Sequence, residues 1–343
     1  MNCGILTFHF AHNYGAVLQA YALKNYLNEL GQNAFVLDYI PNSMKNNYVL
    51  NPLAKDRHPK AVIKRTLKIS RRLMQYRLFE DFINTELLNH VASDIDAVIC
   101  GSDQIWNENI TGLIYTYYAD EYEANIKRIS YAASFGTSVL TEFQKKCIKT
   151  YLPGFSSISL RETDVAEEVA ELSKRNVVCV LDPVFLLDKE NWIDFSKLSK
   201  NKTNGRYILY YALRNDKDLI QKTEDISNKM GIPVFCVHPT CNDLKTPWKQ
   251  LYDVGPYEFV DLLRRAELVS TNSFHAMSFS VIFGKKAIYK AYLATESRVP
   301  SLLQLCKAER CLHNGIYNFG MLGEDTLKDQ KEFSRNFLNS ALL

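Results

Sequence analysis

Short apolar runs alternate with helical stretches along nearly the whole chain, and the first two runs flank a single helix. Gly4 to Phe10 reads as a buried strand. Ala16 to Leu30 carries Val17, Leu18, Tyr21, Ala22 and Leu27 at helical spacing before Gly31 ends it, and Ala34 to Tyr39 is a second strand. Such a βαβ unit joins parallel strands by a right-handed crossover and leaves functional loops at their carboxyl ends. The pattern continues with strands at Ala97 to Cys100, Arg128 to Ala132, Ser157 to Arg161 and Val177 to Leu181, and with helices at Thr141 to Tyr151 and Thr163 to Ser173. A polar stretch, Asn201 to Arg206, then precedes a second series: strand Arg206 to Leu213, helix Asp216 to Met230, strand Pro233 to His238, helix Pro256 to Ala266, strand Leu268 to Ser270, helix His275 to Phe283 and strand Ala287 to Lys290. The 343 residues thus divide into two α/β domains, 1–200 and 206–325, each a Rossmann-like doubly wound sheet facing a common cleft. Residues 326–343, with Phe333, Phe337, Leu338 and Leu342 at helical spacing, form a last helix expected to return to the first domain.

Composition excludes several classes. A net charge of +3 is too weak a field to make nucleic acid the default partner. No apolar run approaches the ~20 residues of a membrane span, and the N-terminus carries no basic leader, which points to the cytoplasm. Of the eight cysteines, Cys236 and Cys241 repeat the spacing of Cys306 and Cys311, a loose match to zinc for which buried thiols are the better reading. Lys55 to Arg77 holds nine Lys or Arg against Asp56 alone, with Ile63, Leu67, Met74 and Leu78 at helical spacing. A solvated face over a packed stripe is the commoner meaning, and peripheral contact with an anionic membrane at the inner face is the alternative.

Chemistry-bearing residues gather where strands end. His9, His12, Asn13 and Gly15 mark the first strand-to-helix turn, suited equally to an anion or to a tight turn. Gly101-Ser102-Asp103-Gln104-Ile105-Trp106-Asn107 places polar side chains and an indole at the next strand end, a combination fit to grip a sugar. Tyr131 to Gly136 supplies small residues for close approach. Arg161 ends a strand, its guanidinium matched to carboxylate or phosphate or else paired with Glu162. Ser270-Thr271-Asn272-Ser273-Phe274-His275 puts His275 in the first turn of a helix among hydroxyls.

In order and spacing these segments resemble the polysaccharide pyruvyl transferase family over nearly the whole chain. The resemblance is carried by His12-Asn13-Tyr14-Gly15, Gly101 to Asn107, Ser134-Phe135-Gly136, Ser159-Leu160-Arg161-Glu162, Leu181-Asp182-Pro183, Ser273-Phe274-His275-Ala276 and Arg298 followed by Leu302-Leu303. It implies two Rossmann-type domains of glycosyltransferase B-like architecture. It also implies transfer of pyruvate from phosphoenolpyruvate onto two hydroxyls of a sugar as a ketal, in the biosynthesis of bacterial exopolysaccharide or capsule, with no cofactor and no metal beyond the donor substrate. His275 would be the acid. Arg161 would hold the donor, and Ser273 stands where many members carry a second arginine, which Arg298, Lys285 or Lys286 would replace. His12, Asn13, Gly15, Ser102, Asp103, Gln104 and Trp106 fall on the acceptor side, where the sugar or oligosaccharide arrives free or lipid-linked. A sugar-nucleotide glycosyltransferase on the same architecture and a non-catalytic sugar-binding subunit are the rival readings.

Overall fold

The computed structural model describes residues 1–41, 44, 73–90, 92, 94–123, 125–238, 245–291, 293 and 296–343. Two mostly parallel sheets with helices on their faces give an α/β, glycosyltransferase B-like fold. In the first, β1 (Asn2–Leu6), β2 (Asn33–Val36), β3 (Ala97–Gly101), β4 (Lys127–Ala133), β5 (Ser157–Leu160) and β6 (Val177–Cys179) run parallel in the order β2-β1-β3-β4-β5-β6. The second contains β7 (Ile208–Tyr211), β8 (Val234–Val237), β9 (Lys249–Leu251), β10 (Leu268–Thr271), β11 (Lys286–Tyr289), β12 (Leu312–His313) and β13 (Ile316–Asn318), ordered β12-β13-β11-β10-β7-β8-β9. Its last two strands are antiparallel, a departure from the parallel pattern expected of the sequence. Asn314 and Gly315, at φ +50° and +72°, form the tight turn between them, because both residue types accept left-handed backbone.

Besides a single turn at Glu108–Thr111 and helical residues at 73–82, the helices include α1 (Tyr14–Glu29), α2 (Glu142–Tyr151), α3 (Ala166–Ser173), α4 (Lys189–Ser196), α5 (Lys217–Met230), α6 (Pro256–Arg265), α7 (Phe274–Ile282), α8 (Arg298–Leu305) and α9 (Glu324–Leu342). Local chemistry sets their ends. Asn13 caps α1 by accepting from Gly15 N, Thr141 and Gln144 form a reciprocal capping box on α2, and Gly231 at φ +63° closes α5. The run Gly4 to Phe10 is a strand only to Leu6. Beyond it β2 stops at Val36 and β3 at Gly101, so the chain has no ladder partner; Thr7 to Asn13 turns instead, with Phe8 packed edge-on to Tyr117 at 5.2 Å. An apolar run here fills core beneath a loop.

One hydrophobic cluster runs through both halves. Tyr14, the first residue of α1, stacks on Phe259 of α6 at 4.1 Å and donates its hydroxyl to Val254 O at 2.8 Å, while Gln75 donates to both Tyr14 Oη (2.7 Å) and His238 O (3.0 Å). Helix α9 touches the first half. Leu181 N donates to Ser334 Oγ at 3.0 Å, Arg335 donates to Leu186 O, Lys331 pairs with Asp188, and Leu338 is fully buried. Phe333, expected on the inner face, is half exposed. Among the described residues, no helix is long and apolar enough to cross a membrane, and no group of three or more His, Cys, Asp or Glu is placed to hold a metal ion. Most of the basic stretch Lys55 to Arg77, and Cys241, lie outside the described residues.

Candidate active site

Strand order reverses between β1 and β3 in the first sheet and between β7 and β10 in the second, and a crevice opens at the carboxyl ends of strands at such switch points. Asn272 spans the second crevice, accepting from Leu213 N (2.7 Å) and donating to Arg214 O (3.2 Å). Side chains from both halves converge on one carboxylate. Asp182 Oδ2 accepts from Ser102 Oγ at 2.9 Å and from Arg161 Nη1 at 2.7 Å, and lies 3.5 Å from His275 Nε2; Oδ1 accepts from Val184 N at 3.1 Å. Ser102 follows β3, Arg161 follows β5, and His275 opens α7 in the second half. Burial works to raise the Asp182 carboxyl, yet His275, Arg161 and the Val184 N–H together hold it down at about 2.

With Nη1 engaged, the other edge of the Arg161 guanidinium is left without a hydrogen bond among the described residues. Its Nε and Nη2 are buried, and Asp103 Oδ1 stands 3.8 Å from Nη2. That free edge has the spacing for bidentate recognition of a carboxylate or phosphate. The Arg161 guanidinium sits 4.6 Å from the centre of the Phe274 ring, and Arg298 sits 6.0 Å from the same centre, so cations from the two halves share one aromatic ring. Glu296 chelates Arg298 at 2.8 and 2.5 Å, which fixes its guanidinium.

The imidazole of His275 is held closely. A Cβ on Gly15 would stand 2.0 Å from His275 Nδ1, so only glycine admits the ring at the start of α1. Gly15→Ala is therefore expected to cut kcat at least roughly 10²-fold by swinging the imidazole away, with little loss of melting temperature, since alanine favours the helix. Steady-state rates with a thermal melt check it. An active Gly15→Ala would mean that the ring position seen here is not the working one.

Glu162 has the opposite electrostatic character from Asp182. Its Oε1 accepts from Ser134 Oγ and from Gly136 N (3.1 Å), and Oε2 is buried with no partner among the described residues. Burial raises its carboxyl above the usual value, against the pull of Arg161, Ser134, Gly136 and Arg298. A carboxyl raised on folding contributes stability that is complete below its unfolded value and is lost as pH rises through the folded one. Glu162→Gln keeps the acceptor oxygen and removes that loss. Its melting temperature should exceed the wild type by roughly 1–3 °C at pH 8 and match it below pH 4; equal curves at every pH would refute the assignment.

Several expected residues stand elsewhere or do other work. Ser102, Asp103 and Gly15 join the cluster, and Asn13 caps α1 at its edge. Gln104 Oε1 accepts from Asn107 Nδ2 and presses on Gly136, whose φ of +72° and lack of Cβ make room. Trp106 is no sugar platform: it is buried, parallel to Tyr118 at 5.1 Å, with Nε1 donating to Tyr117 O. His12 packs against Tyr76 and Phe79 with Nε2 2.6 Å from Glu80, and burial lowers its pKa. His9 faces Asp38 at 3.0 Å. Ser273 caps α7, accepting from Ala276 N, and is buried. Lys285 precedes β11 and so lies at the amino end of the strand, beside Arg264 and Lys189, away from the carboxyl-end crevice; Arg298, by contrast, reaches Phe274. Asp182 and the ring of Phe274 carried no site role in the sequence reading. An Asp before a proline where a strand gives out, Asp182-Pro183, was the available signal for the first.

Comparison with known proteins bears on the fold and the family. The solved UDP-GlcNAc 2-epimerase from Neisseria meningitidis, bound to UDP-GlcNAc, superposes with a TM-score of 0.52 at 12% identity, covering 100% of both chains. The UDP-GlcNAc 2-epimerase from Methanocaldococcus jannaschii gives 0.47 at 10% identity over 99% of this chain and 100% of that one. The first likeness shows a shared fold and nothing of the reaction. No curated protein matches the sequence. The family model for polysaccharide pyruvyl transferase matches residues 13–293, a span that includes Asn13, Ser102, Arg161, Asp182 and His275, and the chain belongs to the polysaccharide pyruvyl transferase family.

Proposed function

We propose that the protein transfers the pyruvyl group of phosphoenolpyruvate to two hydroxyls of a sugar, forming a ketal and releasing phosphate. The observation that carries this reading is the buried meeting of Arg161 and His275 on Asp182, an anion grip beside an acid–base group at a switch-point crevice. The free edge of Arg161, with Arg298 across Phe274, is suited to the donor's carboxylate or phosphate. His275 as imidazolium gives its proton to the methylene carbon, and C2 becomes electron-deficient. The first sugar hydroxyl bonds to C2 and returns its proton to the imidazole. The second hydroxyl then bonds to C2 as the C2–O bond to phosphate breaks, and its proton leaves with the phosphate, so that atoms and charge balance.

The crevice residues Ser102, Asp103 and Asn13 are the acceptor side of this reading, and the acceptor is a bacterial surface-polysaccharide sugar, free or lipid-linked. The test is phosphate release from phosphoenolpyruvate with a panel of sugar acceptors, joined to thermal shifts with phosphoenolpyruvate and with UDP-GlcNAc. Acceptor-dependent release and a shift with phosphoenolpyruvate alone support it. A shift with the nucleotide sugar alone moves the reading to a glycosyltransferase, and no shift with either leaves a sugar-binding subunit.

A further inference from the structure

We propose that Asp182 is the positioning residue of the site: its Oδ2 fixes which nitrogen of His275 carries the proton and turns Arg161 so that its Nε–Nη2 edge faces the donor. This rests on the reaction proposed above, which gives His275 and Arg161 their tasks.

The geometry leaves few other candidates. Nε2 of His275 is buried with no hydrogen bond among the described residues and has Asp182 Oδ2 3.5 Å away, and the Nδ1 side of the ring lies against Gly15, which has no polar side chain to offer. Phe274 meets the imidazole edge-on at 5.1 Å. Among the described residues the charged groups about the imidazole include Asp182 directly, Arg161 on the same Asp182 oxygen, Asp103 at 3.8 Å from Arg161 Nη2, Arg298 over the Phe274 ring, and Glu162 next to Arg161 in the chain. Of these, the Asp182 carboxylate is the group that comes within 3.5 Å of a ring nitrogen. Asp182 is itself held on three sides, by Ser102 Oγ, Arg161 Nη1 and Val184 N, and is fully buried, so its oxygen is a fixed reference for both partners. Low exposure also removes the water that would screen the contact. The charge of His275 helps hold the Asp182 carboxyl down.

Asp182→Asn, which keeps shape and drops charge, is the test. In the full-length protein kcat should fall roughly 10²-fold or more, KM for phosphoenolpyruvate should rise, and the basic limb of the kcat/KM profile should move to lower pH by about one unit. A uniform loss of rate with an unmoved profile would reduce Asp182 to a structural role and overturn the proposal. A second readout needs no substrate: the ¹⁵N imidazole spectrum of the free protein, with the His275 signal identified by its loss in His275→Ala. The His275 signal should titrate at lower pH in Asp182→Asn than in wild type, and coincident titrations would also overturn the proposal. If wild type releases no phosphate from phosphoenolpyruvate, the reaction reading fails while the spectrum still reports on the Asp182–His275 coupling. Should Asp182→Asn not fold, Ser102→Ala loosens the same carboxylate without removing its charge. A smaller shift of the titration in that variant supports the proposal, and an unmoved one overturns it.

Discussion

His275→Ala is expected to lower kcat by roughly 10²–10⁴-fold while the rise in melting temperature caused by phosphoenolpyruvate stays nearly intact. The reason lies in the division of labour across the crevice. In the proposed reaction donor charge is met by Arg161, whose Nε and Nη2 make no hydrogen bond among the described residues, and by Arg298, which Glu296 holds in place; neither depends on the imidazole for its position. His275 has a different duty. In the proposed reaction it delivers a proton to carbon, so it acts in the transition state far more than in the ground state, and a loss of that kind appears in kcat and not in donor binding. The wild-type pH profile should correspondingly fall on its basic side as the imidazolium is lost. Saturation kinetics and a melt with and without donor are enough to check this. Full turnover by His275→Ala, or a lost thermal shift with unchanged rate at saturation, removes His275 from the role of acid.

Arg161→Ala should abolish the donor-induced shift and raise KM, and it should also cost several kcal/mol of stability. Removing one partner of a buried pair leaves the other uncompensated, at roughly 3–5 kcal/mol in measured cases, and the stranded partner here is Asp182. Stability and binding would then be confounded in one variant. Arg161→Lys separates them: the ammonium still neutralises Asp182 but cannot offer a planar two-donor edge, so melting temperature should largely recover while KM stays at least roughly tenfold high. Thermal melts and KM for the three proteins decide it. A Lys variant with wild-type KM would show that the bidentate edge is not what grips the donor.

The alternation of strands and helices was legible because burial on both sheet faces forces continuous apolar runs, and Arg161 and His275 were legible because each ends a strand or starts a helix. What escaped has physical causes. Asp182 acts through Ser102, eighty positions away, and through His275 on the other sheet, and no local pattern encodes a partnership made by the fold. The indole of Trp106 suggested a sugar-stacking face, but sequence gives residue type and not direction; the ring turns inward onto Tyr118. The position of Lys285 was readable, since a residue before a parallel strand lies at its amino end. So was the hairpin at Asn314-Gly315, whose residue pair is the strongest short-range turn signal a chain carries. The run to Phe10 misled because apolar residues serve a loop's underside as readily as a ladder.

The bond from Leu181 N to Ser334 Oγ ties the residue beside Asp182 to the last helix. During synthesis α9 leaves the ribosome after the strands of both sheets, so a nascent chain that has already paired every strand still lacks the anchor next to its central carboxylate. The anchor of that carboxylate is thus made after the strands it steadies. A product cut short before Ser334 retains the sheets and loses the anchor, as well as the Arg335 contact beside it. Molecules lacking that part of α9 would then hold Asp182 less firmly even when their strands are fully paired, so the order of the site depends on a helix that lies outside both sheets.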